Sequence, residues 1–105
     1  MPMKVIPQET LDKLNRETSR IAANELHSFF EQGAVLAVAP GMDLVKVAGA
    51  MAVDDSATVG KWLQNGQIEK ADDTMSERWM KEEISLWAVV VAPWVLVQPP
   101  ERDRD

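Results

Sequence analysis

The sequence has no cysteine, no tyrosine and a single histidine. Without cysteine the chain cannot form disulfides, thiolate zinc sites or iron–sulfur centres, and it has no thiol nucleophile. The shortage of histidine and tyrosine also shortens the list of acid–base groups that catalysis could use. No phosphate-binding glycine loop, dinucleotide fingerprint or nucleophile elbow is present. We therefore expect a non-enzymatic protein without a cofactor or metal.

Signals for export or membrane insertion are missing as well. The first seven residues are interrupted by Pro2, Lys4 and Pro7 and contain no apolar segment of the kind that secretory signals carry. The longest apolar run extends from Leu86 to Val97 and is shorter than the ~20 residues that a membrane helix needs. We expect a cytoplasmic protein that does not interact with membranes.

Positive charge is scarce, because 11 basic side chains stand against 17 acidic ones, for a net charge of −6. Residues 1–52 carry five basic and six acidic groups, whereas residues 53–105 carry six basic and eleven acidic groups. Such a chain repels a phosphate backbone, so nucleic acid is not an expected partner. The acidic second half either keeps a small protein soluble or presents an acidic face to a basic partner.

Length and composition fit one folded domain, since 46% of the 105 residues are apolar. We place an N-terminal arm over residues 1–8 and a single domain over residues 9–98. Residues 99–105 begin with two prolines and continue with charged residues alone, which predicts a disordered tail.

Apolar spacing predicts one long amphipathic helix over residues 9–32, ended by Gly33. Its apolar stripe contains Leu11, Leu14, Ile21, Ala22, Leu26 and Phe29. Glu25 falls inside this stripe, and a buried carboxylate has to be paired or hydrogen-bonded. Glu25 therefore either reaches water at the stripe edge or is a candidate buried polar site. His27, with Glu31 one turn away, makes an incomplete metal-ligand set.

A buried strand over residues 34–39 and a pair of short helices follow. Asp43 is placed to cap a helix over residues 44–53. The group Asp54-Asp55-Ser56 ends that helix and caps a second one over residues 57–65.

The second half of the chain continues with a short strand over residues 67–71. Thr74 and Glu77 match a capping box that begins a helix reaching about Glu83. The final strand covers residues 86–97, where Pro93 marks a bulge, a bend or an edge because proline cannot donate to a ladder.

This order of elements favours an α+β fold. It predicts a long N-terminal helix, a short helix pair and a small, mainly antiparallel three-stranded sheet in winged-helix-like order. A small α/β sheet is the alternative. The second helix of the pair offers only Lys61, Gln64 and Asn65 to a DNA groove, which makes DNA binding the weakest functional reading.

The final strand is the strongest candidate for an interaction surface, because it is apolar on both faces. The candidate residues are Trp87, Val89, Val91, Pro93 and Trp94. We expect a domain this small to have too few helices to cover both faces of its sheet, and an uncovered face or edge needs a partner. The strand therefore predicts a homodimer or larger homo-oligomer. The alternative is a central strand that is covered within one chain.

Three blocks of sequence resemble a family of small bacterial proteins catalogued only as a domain of unknown function. The first block contains Leu14-Asn15-Arg16-Glu17-Thr18, Glu25-Leu26, Phe29-Phe30 and Gly33-Ala34-Val35. The second contains Asp43-Leu44-Val45, Asp54-Asp55, Val59, Trp62-Leu63 and Gly66. The third and most distinctive block is Leu86-Trp87-Ala88-Val89-Val90-Val91-Ala92-Pro93-Trp94-Val95-Leu96-Val97-Gln98. The resemblance covers roughly residues 10–98 and implies a bacterial cytoplasmic protein, without an activity or a site.

Three functions follow as hypotheses. The first is a protein that self-associates and binds another protein. The second is a small-ligand-binding regulatory domain, in which Glu25 and nearby tryptophans line a pocket. The third is a winged-helix-like DNA binder.

Overall fold

The computed structural model describes residues 3–100. In this part of the chain, five α-helices and a short 3-10 helix surround one five-stranded sheet. In chain order the elements are α1 (Gln8–Glu17), β1 (Ser19–Ala22), the 3-10 helix (Ala23–Leu26), α2 (His27–Glu31), β2 (Val35–Val38), α3 (Leu44–Ala52), α4 (Ser56–Gln64), β3 (Ile68–Lys70), α5 (Asp73–Lys81), β4 (Ser85–Val91) and β5 (Trp94–Gln98).

The sheet is mixed, with the strand order β1-β4-β5-β2-β3. Its central pair, β5 and β2, is parallel, with Leu36 opposite Leu96. The other three pairs are antiparallel. Strands β1 and β3 form the two edges, so β4 and β5 are both internal.

Helices cover both faces of the sheet. On the first face, α1, α3 and α4 pack over a core that contains Leu14, Val47 and Leu96. On the second face, the 3-10 helix, α2 and α5 pack over a core that contains Leu26 and Trp79. Alternating strand residues supply the two cores, as the period of two along a strand requires.

The prediction of one N-terminal helix over residues 9–32 is wrong. Helix α1 ends at Thr18, whose backbone is extended and whose hydroxyl donates to the Leu14 carbonyl at 2.7 Å. The chain then pairs with β4 as strand β1. As a result Leu14 lies in the first-face core and Leu26 in the second-face core, although both fall in one helical stripe. Pairing with β4 therefore overrides the local helical pattern.

The final apolar segment is a hairpin rather than one strand. A cis Ala92–Pro93 peptide lies in the two-residue turn between β4 and β5, where Val91 is opposite Trp94. The hairpin and the unpredicted strand β1 together give the sheet five strands instead of three, and the predicted winged-helix-like order is wrong. The α+β class is confirmed, whereas the alternative of a small α/β sheet is not, since only one strand pair is parallel.

Aspartates cap the three helices of the middle and second half of the chain. The side chains of Asp43 and Asp55 accept the Lys46 and Thr58 amides, as the sequence predicts. Helix α5 begins differently, because Asp72 accepts the Met75 amide at 2.8 Å. The predicted Thr74 capping box is therefore wrong, and the capping residue lies two positions earlier.

The N-terminal arm is fastened to the α3–α4 junction. Buried Asp55 accepts the Lys4 backbone amide at 2.9 Å, and the Lys4 ammonium lies 3.3 Å from the Val53 carbonyl. The hydrogen bond from Lys4, together with that from Thr58, holds the pKa of the Asp55 carboxyl below its ordinary value, although burial opposes the shift. Residues 1–2 of the predicted arm lie outside the described residues.

Gly49 in α3 makes room for the arm, which gives a testable prediction. A Cβ at this position would lie 2.9 Å from Ile6 Cδ1. Gly60 in α4 has open space around it and serves as the matched control. Gly60→Ala should stabilise the fold by about 0.5–1 kcal/mol through helix propensity. The free energy of unfolding of Gly49→Ala should lie about 1–3 kcal/mol below that of Gly60→Ala, because the added Cβ overpacks against Ile6. Urea unfolding measures the difference, and equal gains in both variants would contradict the packing of the arm.

The described residues form a unit with a radius of gyration of 13.5 Å, close to the about 13 Å expected for this length. Within residues 3–100, no helix is long and apolar enough to cross a membrane. The predicted disordered tail lies outside the described residues from residue 101 onward. Pro99 and Pro100 are described and line a groove beside α5.

Candidate binding groove

The five residues predicted as an interaction surface lie in three different environments. Val89 is buried in the first-face core. Trp87 is 40% exposed, with the Arg20 guanidinium 5.1 Å from its ring centroid on the neighbouring strand. The other three, Val91, Pro93 and Trp94, lie at the hairpin turn.

The hairpin turn borders a small notch of about 380 Å³. Met51 and Val59 complete its apolar lining, opposite Trp94. The notch thus brings together three of the five predicted residues, at the end of the hairpin away from Trp87. Helices cover most of both faces of β4 and β5, but Trp87 and Val90 of β4 stay 40% and 57% exposed. Self-association itself stays a prediction.

Glu25 is exposed in the 3-10 helix, so it does not form the buried polar site. The predicted stripe position assumed a continuous helix, which β1 interrupts. On the exposed side of α2, the His27 Nε2 atom lies 3.5 Å from the Glu31 Oε2 atom. Among residues 3–100, no group of three or more histidine, aspartate or glutamate side chains is placed to hold a metal.

A larger groove lies between α5 and the sheet, and we call it the α5 groove. Its volume is about 640 Å³. Helix α5 lines one wall with Met75, Arg78 and Trp79, and Glu82 directly after the helix extends this wall. The opposite side is formed by Ala37 and Val38 of β2, Glu69 of β3 and the segments Ala39–Pro40, Gly66–Gln67 and Pro99–Pro100, with Ile84 nearby.

The position of the groove follows from the sheet topology. Parallel strands β2 and β5 both end at this side of the molecule, and crevices outside the carboxyl ends of parallel strands are common ligand sites. Glu69 of β3 is opposite Ala37 of β2, so both side chains point to the second face. Helix α5 packs on that same face through Trp79.

Hydrogen bonds fix the frame of the groove. The Gln98 side-chain amide at the end of β5 donates to the Ala39 carbonyl at 2.8 Å and to the Met42 carbonyl at 2.7 Å. The Ala39 amide in turn donates to the Gln67 carbonyl at 2.9 Å. The ends of β5, β2 and the start of β3 are therefore tied together, which gives the groove a preformed shape.

Three charged side chains, Glu69, Arg78 and Glu82, line the groove and are exposed to solvent. Within the described part of the chain, the single ion pair shorter than 4.0 Å joins His27 and Glu31, so these three groups do not pair with one another. Their charges sum to −1, beside an apolar surface formed by Met75, Trp79 and Ile84. The groove can therefore contact a molecule that carries both apolar and charged groups.

Sequence reasoning did not find this groove. The sequence predicts the strand that contains Glu69 and the helix that contains Arg78 and ends beside Glu82, but no local motif joins the three residues. The feature that indicates the groove is the parallel pairing of β2 with β5, and no spacing of residues along the chain reveals this pairing.

Comparison with known proteins identifies the family. The model of the family described as "Protein of unknown function (DUF2288)" matches residues 9–99. The chain is also similar to a solution NMR structure of PA1075 from Pseudomonas aeruginosa, with 37% sequence identity, a TM-score of 0.79 and coverage of 100% of this chain and 97% of that one. No curated protein is significantly similar. The chain therefore belongs to the DUF2288 family, for which no function is described.

Proposed function

We propose that this protein is a non-enzymatic binding protein that takes a segment of another protein into the α5 groove. The observation that carries the proposal is the combination of an apolar wall with three charged side chains that do not pair with one another. Charged groups held beside an apolar surface provide orientation, while the apolar surface provides burial. No group in the groove is arranged as a nucleophile with a base.

The charges indicate the chemistry of the partner. Two carboxylates against one guanidinium favour a segment that carries lysine or arginine next to apolar residues. The acidic second half of the chain, with a net charge of −5 over residues 53–105, favours the approach of a basic partner over a longer range. An acidic segment could pair with Arg78 but would be repelled by both Glu69 and Glu82.

A small molecule is the second candidate occupant. A volume of about 640 Å³ falls within the roughly 300–1,000 Å³ that is common for small-molecule sites. The hydrogen-bonded frame around Ala39 favours this candidate, because preformed pockets suit small ligands. A reproducible thermal shift from a metabolite panel, together with no peptide binding, would favour it over the protein partner.

Two labelled peptides test the proposal. One repeats lysine, leucine and serine three times, and its counterpart carries glutamate in place of lysine. Fluorescence anisotropy should give an affinity for the lysine peptide at least about tenfold higher, which corresponds to about 1.4 kcal/mol. Because the preference is electrostatic, it should shrink as salt rises toward about 1 M. Equal affinities for the two peptides, or no binding of either, would contradict the proposal.

A further inference from the structure

The outer edge of β1 presents free backbone groups. Bonded and non-bonded pairs alternate along an antiparallel ladder. The Ala23 amide donates to the Ile84 carbonyl at 2.9 Å, so the residues of β1 that bond to β4 are Ser19 and Ile21. The N–H and C=O groups of Arg20 and Ala22 therefore point away from the sheet. Arg20 is exposed and Ala22 is half-buried, so this edge can be reached.

The opposite edge of the sheet is different. Between β2 and β3, the Ala39 amide donates to the Gln67 carbonyl and the Ala71 amide donates to the Val35 carbonyl. Because bonded and non-bonded pairs alternate, the backbone N–H and C=O groups of Ile68 and Lys70 point outward from β3. Ile68, however, is only 1% exposed as a whole residue. The edge of β3 is therefore covered at Ile68, although Lys70 is exposed. Strand β1 is the edge at which neither outward-facing residue is buried.

We propose that a second copy of this chain adds to β1 in antiparallel orientation, with a two-fold axis that passes beside Ile21. In this register Arg20 is opposite Ala22 of the partner subunit, and each pair exchanges two backbone hydrogen bonds. Four hydrogen bonds then join two five-stranded sheets into one. Edge strands are prone to this kind of pairing, and an isologous two-fold contact closes the assembly as a dimer.

The side chains of β1 fit this register. Ile21 is half-buried against Leu86, which is fully buried, so placing Ile21 opposite the partner's Ile21 extends an apolar row across the junction. On the first face, the small Ala22 of the partner subunit lies opposite Arg20 and leaves the contact between Arg20 and Trp87 in place. A register centred on Arg20 would set the two guanidinium groups directly opposite each other, which is unfavourable. A register centred on Ala22 would run into the 3-10 helix that begins at Ala23.

The proposed contact is small, because four-residue strands bury less area than a standard interface. Each copy also carries a net charge of −6, so the copies repel each other at low salt. Association should therefore be weak, concentration-dependent and stronger at higher salt. This surface is separate from the α5 groove, so dimerisation and peptide binding can fail independently.

Ala22→Pro provides a selective test. Ala22 has a φ of −67°, which proline adopts without strain, and its N–H is the outward-pointing one. The substitution therefore removes an intermolecular donor without removing a ladder bond within the monomer. Ala57→Pro, in the exposed first turn of α4, is the control for a proline elsewhere, since proline is tolerated in the first turn of a helix.

Sedimentation equilibrium from about 20 µM to about 500 µM spans the range in which a weak dimer forms. The average mass of the wild type and of Ala57→Pro should rise from 11.7 kDa toward twice that value with concentration. The average mass of Ala22→Pro should stay at 11.7 kDa, and its melting temperature should not fall. A wild type that stays monomeric, or an Ala22→Pro variant that associates like the wild type, would overturn the proposal.

Amide hydrogen exchange on the wild type tests the register without relying on any variant. The Arg20 and Ala22 amides should exchange more slowly as the protein concentration rises, whereas the Ile21 amide, already bonded to β4, should not change. Association that leaves the Arg20 and Ala22 amides unaffected would also overturn the proposal.

Discussion

Replacing Trp79 by alanine should lower the free energy of unfolding by about 3–5 kcal/mol, as is typical for a large aromatic side chain removed from a core. Trp79 is 3% exposed in the second-face core. Its ring centroid lies 6.2 Å from that of Phe30, at an interplanar angle of 45°. The substitution would remove the buried apolar side chain that α5 contributes to this core. Chemical denaturation followed by circular dichroism measures the loss.

Trp87→Ala is the matched control for this prediction. Trp87 is 40% exposed and its ring contacts Arg20, a cation–π contact of about 0.5–1 kcal/mol at an exposed site. Trp87→Ala should therefore lower the free energy of unfolding much less than Trp79→Ala does. Equal losses for the two variants would contradict the assignment of Trp79 to the core and of Trp87 to an exposed position on β4.

The second large effect is expected in the α5 groove. Replacing both Glu69 and Glu82 by lysine changes the summed charge of the three groove side chains from −1 to +3. The affinity for the lysine peptide should fall by about 10- to 100-fold, or about 1.4–2.7 kcal/mol. Both residues are exposed, so the fold should tolerate the change.

The control for the groove variant carries the same change of net charge elsewhere. Glu17 at the end of α1 and Glu77 on α5 are exposed and do not line the groove. Replacing both of these by lysine should lower the affinity far less than the groove variant does. A similar loss in both double variants would show that overall charge, rather than the groove, determines peptide binding.

Local signals predicted the middle of the fold well. Helices α3 and α4 follow from apolar spacing, and their caps at Asp43 and Asp55 follow from the preference of aspartate for the residue before a helix. These features depend on residues within a few positions of one another. Strand β2 also follows from a local signal, the apolar run over residues 34–39, and its four residues are all buried.

Long-range pairing explains the errors in the sequence prediction. Residues 19–22 fit a helical stripe, but their pairing with β4 makes them a strand. Pro93 was correctly identified as an interruption, yet only the pairing of Val91 with Trp94 shows that the interruption is a hairpin turn. That hairpin also explains why the apolar run is so long, since it supplies two internal strands whose inward residues face two cores.

The groove was beyond sequence prediction for the same reason. Glu69 and Arg78 are nine positions apart in sequence, on a strand and a helix, and both line a groove at the end of the parallel pair formed by β2 and β5. The predicted interaction surface at the hairpin, in contrast, rests on the apolar run over residues 86–97 alone. Local apolarity at Val89 reflects core packing rather than binding.

Mapping peptide contacts by NMR tests the central claim, that the α5 groove is the binding site, most directly. Amide chemical shifts of the wild-type protein would be followed during titration with the lysine peptide. We expect the largest changes at Glu69, Met75, Arg78 and Glu82, with little change at the hairpin turn around Pro93. Changes concentrated at the hairpin notch or along β1, with the groove amides unaffected, would contradict the account.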